Sequence, residues 1–210
     1  MKTIEELKNS IVDINYIIEN MIRKNGLYCL LGEAKVGKSA LALQIANSVC
    51  NGIPFLNLKT RKTPVLYLST EMNPSETISR INFMKFNLKE NDFLYTFPED
   101  NMTQLSILKV EKEISEFKEK YNGKLVLIDM FNGINFGSYY DLNNYQDMSQ
   151  NIFPQLRKLC NNYNVTIIIV HHLNRKGKSL GSTAIDTCVD GKLALKQDEN
   201  IKSTFYLNYE

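Results

Sequence analysis

Leu27-Tyr28-Cys29-Leu30-Leu31-Gly32-Glu33-Ala34-Lys35-Val36-Gly37-Lys38-Ser39 joins a continuous apolar run to a glycine-bounded turn, and an apolar-periodic run continues to Val49. The order predicts a buried strand, a turn and a helix. From Gly32 to Ser39 the turn matches G-x-x-x-x-G-K-[ST] at every defined position. Its two glycines let the backbone wrap around phosphate oxygens, and the helix N-terminus adds partial positive charge. Gly32, Glu33, Ala34, Lys35, Val36, Gly37, Lys38, Ser39 and Ala40 are the expected cradle. In it Lys38 reaches the β- and γ-phosphates and the Ser39 hydroxyl ligates Mg²⁺. A plain glycine turn is the competing reading, but strand and helix stand where phosphate binding needs them. The stretch implies a nucleoside triphosphate site.

At 210 residues the chain suits one larger domain, and 43% hydrophobic with 23% charged residues is ordinary for a globular protein. A formal net charge of +2 neither announces a nucleic-acid binder nor excludes one whose basic residues gather on a loop. Cys29, Cys50, Cys160 and Cys188 are scattered without a C-x-x-C pair, which reads as buried free thiols in a reducing compartment. Charged and polar residues interrupt positions 1–15, so no signal peptide is expected. No stretch nears the roughly 20 apolar residues of a membrane span. The expected location is the cytoplasm, with no membrane partner.

Before the turn, Ile4, Leu7, Ile11, Ile14, Ile18 and Met21 alternate spacings of three and four, a helical stripe. Residues 1–25 read as an N-terminal arm, packing on its own domain or docking on a neighbouring subunit; residues 26–210 read as one domain. Val65-Leu66-Tyr67-Leu68-Ser69 is a second strand leading to Thr70-Glu71, and Pro74 opens a helix with Ile78, Ile81 and Met84 on one face. Residues 93–97 suggest a short strand and 103–121 a helix stopped by Gly123. Leu125-Val126-Leu127-Ile128-Asp129 is a strand ending in a carboxylate. A loop over 130–144, with Phe131, Phe136, Tyr139 and Tyr140, precedes a helix over 145–163 that kinks or restarts at Pro154. Residues 165–170 form the most apolar strand, ending in His171-His172; a basic glycine loop over 174–182 and two short strands, 192–196 and 203–208, follow. Continuously apolar strands alternating with helices predict an α/β fold, a mostly parallel sheet flanked by helices on both faces.

In open parallel sheets ligands sit beyond the carboxyl ends of the strands. Asp129 stands there as a Mg²⁺-holding carboxylate would, although many strands end at Asp for turn reasons. Glu71 could polarise an attacking water, or serve only as a helix-entry carboxylate. His171 and His172 could meet a γ-phosphate or merely end the strand, and two histidines without a third ligand argue against zinc. Arg80, nine residues after Glu71, could neutralise transition-state charge; taken alone it reads as a solvated helix arginine.

The order P-loop, strand-Glu, strand-Asp, strand-His-His, basic glycine loop resembles the RecA-like P-loop ATPases over residues 15–208. It is most similar to the branch holding the small hexameric replicative helicase of broad-host-range plasmids and related phage and mobile-element ATPases. That resemblance implies ATP and Mg²⁺, Glu71 as catalytic glutamate, Arg80 acting near the nucleotide, Asp129 as Walker-B aspartate and His172 as γ-phosphate sensor. It also implies that the His172 strand lies between the P-loop and Asp129 strands.

The same resemblance implies a homo-oligomeric ring, a hexamer in that branch, with single-stranded DNA in its channel. Loop 131–144 would offer aromatics for stacking, and loop 174–182 would offer Arg175, Lys176 and Lys178 for phosphates. Replication or mobile-element proteins are the implied partners. Asp190 stands where that helicase carries an arginine reaching a neighbour's nucleotide, with Lys192 a nearby substitute, and Glu210 leaves little chain for the family's further C-terminal elements. The implied activity is a DNA-dependent ATPase and helicase; the alternative is a regulatory or assembly ATPase that switches protein partners without DNA.

Overall fold

The structure, a computed structural model, describes residues 3–5, 15–98, 104–137, 139–173, 182–198, 200–201 and 204–210. Where the stripe predicts helix up to Met21, β1 (Tyr16–Ile18) and β2 (Ile22–Arg23) pair antiparallel instead. Asn20 turns the chain at φ +57°, a left-handed conformation that asparagine tolerates. Ile17, Ile18 and Ile22 are all fully buried, which one helical stripe would not achieve. Each contributes roughly 1.5–3 kcal/mol by burial. The hairpin is tied down by Glu19 N–H on the Lys59 carbonyl (2.9 Å) and Arg61 N–H on the Ile17 carbonyl (2.8 Å). Leu7, Ile11 and Ile14 lie outside the described residues.

β3 (Leu27–Gly32) leads through the P-loop into α1 (Lys38–Asn51), which closes in a Schellman turn with Ile53 N–H on the Ser48 carbonyl at 3.0 Å. β4 (Val65–Ser69) leads to α2 (Pro74–Phe83), started by a capping box between Asn73 and Glu76. This helix fully buries only Thr77; Ile78 is 56% exposed, so the packed face expected with Ile81 and Met84 is not formed at that position. β5 (Phe93–Thr96) and β6 (Leu105–Ser106) precede α3 (Ile107–Tyr121). The helix starts later than the periodicity predicts because the Ser106 hydroxyl caps it, accepting the Lys109 N–H at 3.2 Å.

β7 (Leu125–Asp129) is followed by β8 (Ile134–Asn135), which pairs with β6. A wide π-type turn over Asp147–Ile152 runs into α4 (Phe153–Tyr163). Pro154 sits in the first turn of α4, and the widened turn before it accommodates the ring and its missing N–H. β9 (Thr166–His172), α5 (Ser182–Cys188), β10 (Gly191–Gln197) and β11 (Phe205–Tyr209) follow.

The main sheet has the order β11-β10-β3-β9-β7-β4-β5, with β11 antiparallel at one edge and the other pairings parallel. Side chains alternate across β3: Leu27, Cys29 and Leu31 pack in the core shared with α3, α4 and α5, while Tyr28 and Leu30 pack in the core shared with α1 and the β1–β2 hairpin. Helices therefore cover both faces, as the apolar strands predict. β9 does lie between β3 and β7, and the register sets Gly32 beside His172 and Ser69 beside Asp129. That places the strand ends in one row at the carboxyl edge of the sheet.

Cys29, Cys50 and Cys160 are buried and Cys188 half-buried, all as free thiols. Burial pushes the Cys50 and Cys160 thiols up to about 12, which leaves them inert. No helix among the described residues is long and apolar enough to cross a membrane.

Candidate active site

The P-loop turn depends on Gly37, whose φ of +99° strains any residue with a Cβ. Among the described residues no side chain caps the N-terminus of α1 at Gly37. Its first-turn N–H groups are therefore left for an anion. Lys38 is only 4% exposed. Its ammonium donates to the carbonyls of Gly32 (3.0 Å) and Glu33 (2.7 Å) and lies 2.9 Å from His172 Nδ1. Burial lowers the Lys38 pKa, and the negative charges of Asp129 and Glu71 work against that shift. An ammonium has only donors, so Nδ1 is the acceptor in this contact. Nε2 lies 3.6 Å from Glu71 Oε1.

Asp129 ends β7 almost wholly buried, and a cis peptide bond joins it to Met130. The Tyr67 hydroxyl donates to Asp129 Oδ2 at 2.5 Å, while Oδ1 has no hydrogen-bond partner among the described residues. Burial raises the Asp129 pKa; the bond from Tyr67 and the nearby Ser39 hydroxyl oppose the rise. An unpaired, buried carboxylate oxygen beside a hydroxyl suits a hard, hydrated cation. Among the described residues no cluster of three His, Cys, Asp or Glu side chains could hold a metal alone. Phosphate and water are the usual further ligands of Mg²⁺.

Lys35, Gly37, Lys38, Ser39, Glu71, Arg80, Met130 and His172 line one cavity of about 320 Å³ over the P-loop. Glu71 and Arg80 are exposed to it from the end of β4 and from α2. Arg80 is near enough to Asp129 to favour the carboxylate. Glu33 and Ala34 are exposed at the turn without lining this cavity. Val36 and Ala40 instead face a second cavity, of about 340 Å³, which shares Gly37 with the first. Its other lining includes Leu41, Gln44, Leu195, Phe205 and Leu207, so it is almost entirely apolar. His171 points the other way, buried and edge-on to Phe131 with ring centres 5.5 Å apart.

Sequence reasoning missed Tyr67 and Phe205. A tyrosine inside an apolar strand was the available signal, because a buried phenol needs a polar partner. Phe205 carried no signal, since β11 reaches the P-loop only through the sheet. Two expectations are corrected. Phe131 and Phe136 are core residues, only 0% and 7% exposed, leaving Tyr139 and Tyr140 as the exposed aromatics of that loop. Lys192 is no free cation: its ammonium is held at 2.9 Å by both Asp186 and Glu210. Asp190 pairs with Arg157 and accepts the Leu27 N–H, tying α4 to the start of β3. Arg175, Lys176 and Lys178 lie outside the described residues.

Residues 2–178 match the AAA domain family. The chain is 25% identical over 183 residues to the DNA repair protein RadA of Aquifex aeolicus (strain VF5), covering 87% of this chain and 36% of that protein. It thus spans about a third of the length of that curated relative. Among solved structures it resembles an ATPase domain, with a TM-score of 0.68 at 16% identity over 95% of this chain and 82% of that one. It also resembles the flagellar accessory protein FlaH of Methanocaldococcus jannaschii, with a TM-score of 0.60 at 14% identity over 89% and 77%. With its P-loop, its sheet order and this family match together, the chain belongs to the AAA domain family and is a RecA-like P-loop ATPase.

Proposed function

We propose that the protein is a cytoplasmic, Mg²⁺-dependent ATPase that couples hydrolysis to work on single-stranded DNA as a ring-forming replicative helicase or DNA-dependent ATPase. The convergence of Lys38, Ser39, Glu71, Arg80 and His172 on one cavity over the P-loop carries this reading. The name of the RadA relative, a DNA repair protein, supports DNA as the substrate of the work. The likeness of the motif order to ring-forming helicases supports a homo-oligomer, with a hexamer favoured.

In this reading Lys38 trades the Gly32 and Glu33 carbonyls for phosphate oxygens. Glu71 orients the attacking water and takes its proton as the water oxygen bonds to the γ-phosphorus and ADP departs. His172 contacts the γ-phosphate, and Arg80 meets the charge of the transition state. Ser39 would hold Mg²⁺ directly and Asp129 Oδ1 would hold it through water, with the ion neutralising charge on the β- and γ-phosphates. The nucleoside end occupies the apolar cavity beside Gly37. Tyr139 and Tyr140 supply stacking faces for DNA bases, and Arg175, Lys176 and Lys178 contact its phosphates.

The test is the ATPase rate with and without single-stranded DNA at several salt concentrations. Stimulation, with affinity falling steeply as salt rises, is expected. An unstimulated ATPase without salt-dependent DNA binding sinks the DNA reading and favours a second one. In that second reading the site is a nucleotide switch for protein partners, a view supported by the likeness to a flagellar accessory protein.

A further inference from the structure

Glu71 is exposed and stands two residues beyond Ser69, the last paired position of β4, so something other than the strand ladder must hold it. The residue before it makes an unusual set of bonds. Thr70 N–H donates to the Asp129 carbonyl at 2.7 Å, which extends the β4–β7 ladder by one step. The Thr70 hydroxyl then accepts the Met130 N–H and donates to the Met130 carbonyl, both at 2.9 Å. The Met130 carbonyl also accepts the Gly133 N–H at 3.1 Å. One side chain thus satisfies both polar groups of the Met130 backbone.

Gly133 closes over that side chain. A Cβ on Gly133 would stand 2.0 Å from Thr70 Oγ1 and 2.2 Å from Thr70 Cβ, so only glycine permits the contact. The segment continues into β8, which pairs with β6, and so belongs to a separate small sheet. Thr70 therefore joins two bodies: the strand end that carries Glu71, and the backbone of residues 130–133 beyond Asp129.

We infer that Thr70 is a positioning residue, which sets where Glu71 stands through its double hydrogen bond to Met130 under Gly133. This rests on the reading of Glu71 as the residue that orients water. A displacement of the 130–133 backbone moves Thr70, and with it Glu71, while Lys38 and Ser39 on α1 stay in place. The bonds act on turnover and not on nucleotide affinity.

The test is steady-state ATP hydrolysis and fluorescent-nucleotide binding on the full chain with Thr70→Val, Thr70→Ser and Gly133→Ala. Thr70→Val keeps the side chain's size and loses both bonds; it is expected to cut kcat at least about tenfold with nucleotide Kd within about twofold. Thr70→Ser keeps the hydroxyl and is expected to restore most of kcat. Gly133→Ala, which pushes a methyl into Thr70, is expected to slow turnover as Thr70→Val does, and it decides the matter if Thr70→Val fails to fold. Wild-type kcat in Thr70→Val or Gly133→Ala overturns the inference, as does a Thr70→Ser enzyme as slow as Thr70→Val. Full turnover by Glu71→Gln is the distinct result that removes the reading of Glu71, and this inference with it.

Discussion

Lys38 Nζ and His172 Nδ1 stand 2.9 Å apart although 134 residues separate them in the chain. With Glu71 Oε1 3.6 Å from the other ring nitrogen, His172 stands between the proposed phosphate-binding lysine and the proposed water-orienting carboxylate. His172→Ala is expected to bind nucleotide within about threefold of wild type and to lose at least about tenfold in kcat. Lys38→Ala is expected to show no measurable hydrolysis. Steady-state kinetics with a separate binding measurement tests both, and a His172→Ala enzyme of normal kcat removes the histidine from the mechanism.

Glu71→Gln preserves shape and hydrogen bonding but cannot accept a proton. It is expected to retain ATP binding and lose about 10²–10⁴-fold in kcat, the range for removing a general base. Single-turnover hydrolysis measured beside equilibrium binding separates this from a loss of affinity.

Burial raises the Asp129 pKa above the usual carboxylate range, so the folded, nucleotide-free state keeps that proton to higher pH than the unfolded chain. Between the unfolded and folded values the folded state binds more protons, and stability falls as pH rises. Lys38 runs the other way: its pKa is lowered from 10.5, so stability rises as pH climbs from the folded value toward that figure. Between these two windows both charges are carried at a cost. Asp129→Asn is therefore expected to raise the melting temperature of nucleotide-free protein there, by about 2–4 °C per kcal/mol relieved. It is also expected to abolish the extra stabilisation that Mg²⁺ adds to ATP. Thermal melts with and without ATP and Mg²⁺ across pH check both; a lower melting point in the variant contradicts the first.

Phe205 lies in the apolar cavity next to Gly37 and is 48% exposed, so its loss should hardly affect folding. Phe205→Ala is expected to raise KM for ATP about tenfold with kcat little changed, the mark of lost uniform binding. Unchanged KM would place the nucleoside elsewhere.

The two kinds of aromatic after β7 should separate cleanly. Phe131→Ala removes a fully buried ring stacked on Phe153 and is expected to cost about 3–5 kcal/mol of stability. Tyr139→Ala removes a ring that is 92% exposed; it is expected to leave the melting point unchanged and to weaken single-stranded DNA binding by about 1–3 kcal/mol. Denaturant titrations and DNA-binding isotherms at fixed salt test the pair.

The P-loop, the four apolar strands and the Glu71, Asp129 and His172 termini were legible because each is a local pattern. Apolar continuity marks a strand buried on both sides, and a glycine-bounded Gly-Lys-Ser turn has few other uses. The hairpin at Tyr16–Arg23 was not legible, since a three-four spacing of apolar residues also fits a strand pair buried on both faces. Nor was the burial of Phe131 and Phe136: a loop rich in Gly and Asn looks exposed until α4 is packed beneath it.

Chain order and residue type alone settle that strands alternate with helices and that a phosphate-binding turn lies between the first long strand and its helix. Pairings across long sequence distances belong to tertiary structure. Strand order and register bring His172 to Lys38, Tyr67 to Asp129 and Thr70 to Met130. No local propensity encodes those meetings: the first exists only once β9 lies beside β3, and the other two only once β4 pairs with β7 in register. The P-loop sequence specifies a phosphate cradle; the sheet decides which acid, which histidine and which hydroxyl face it.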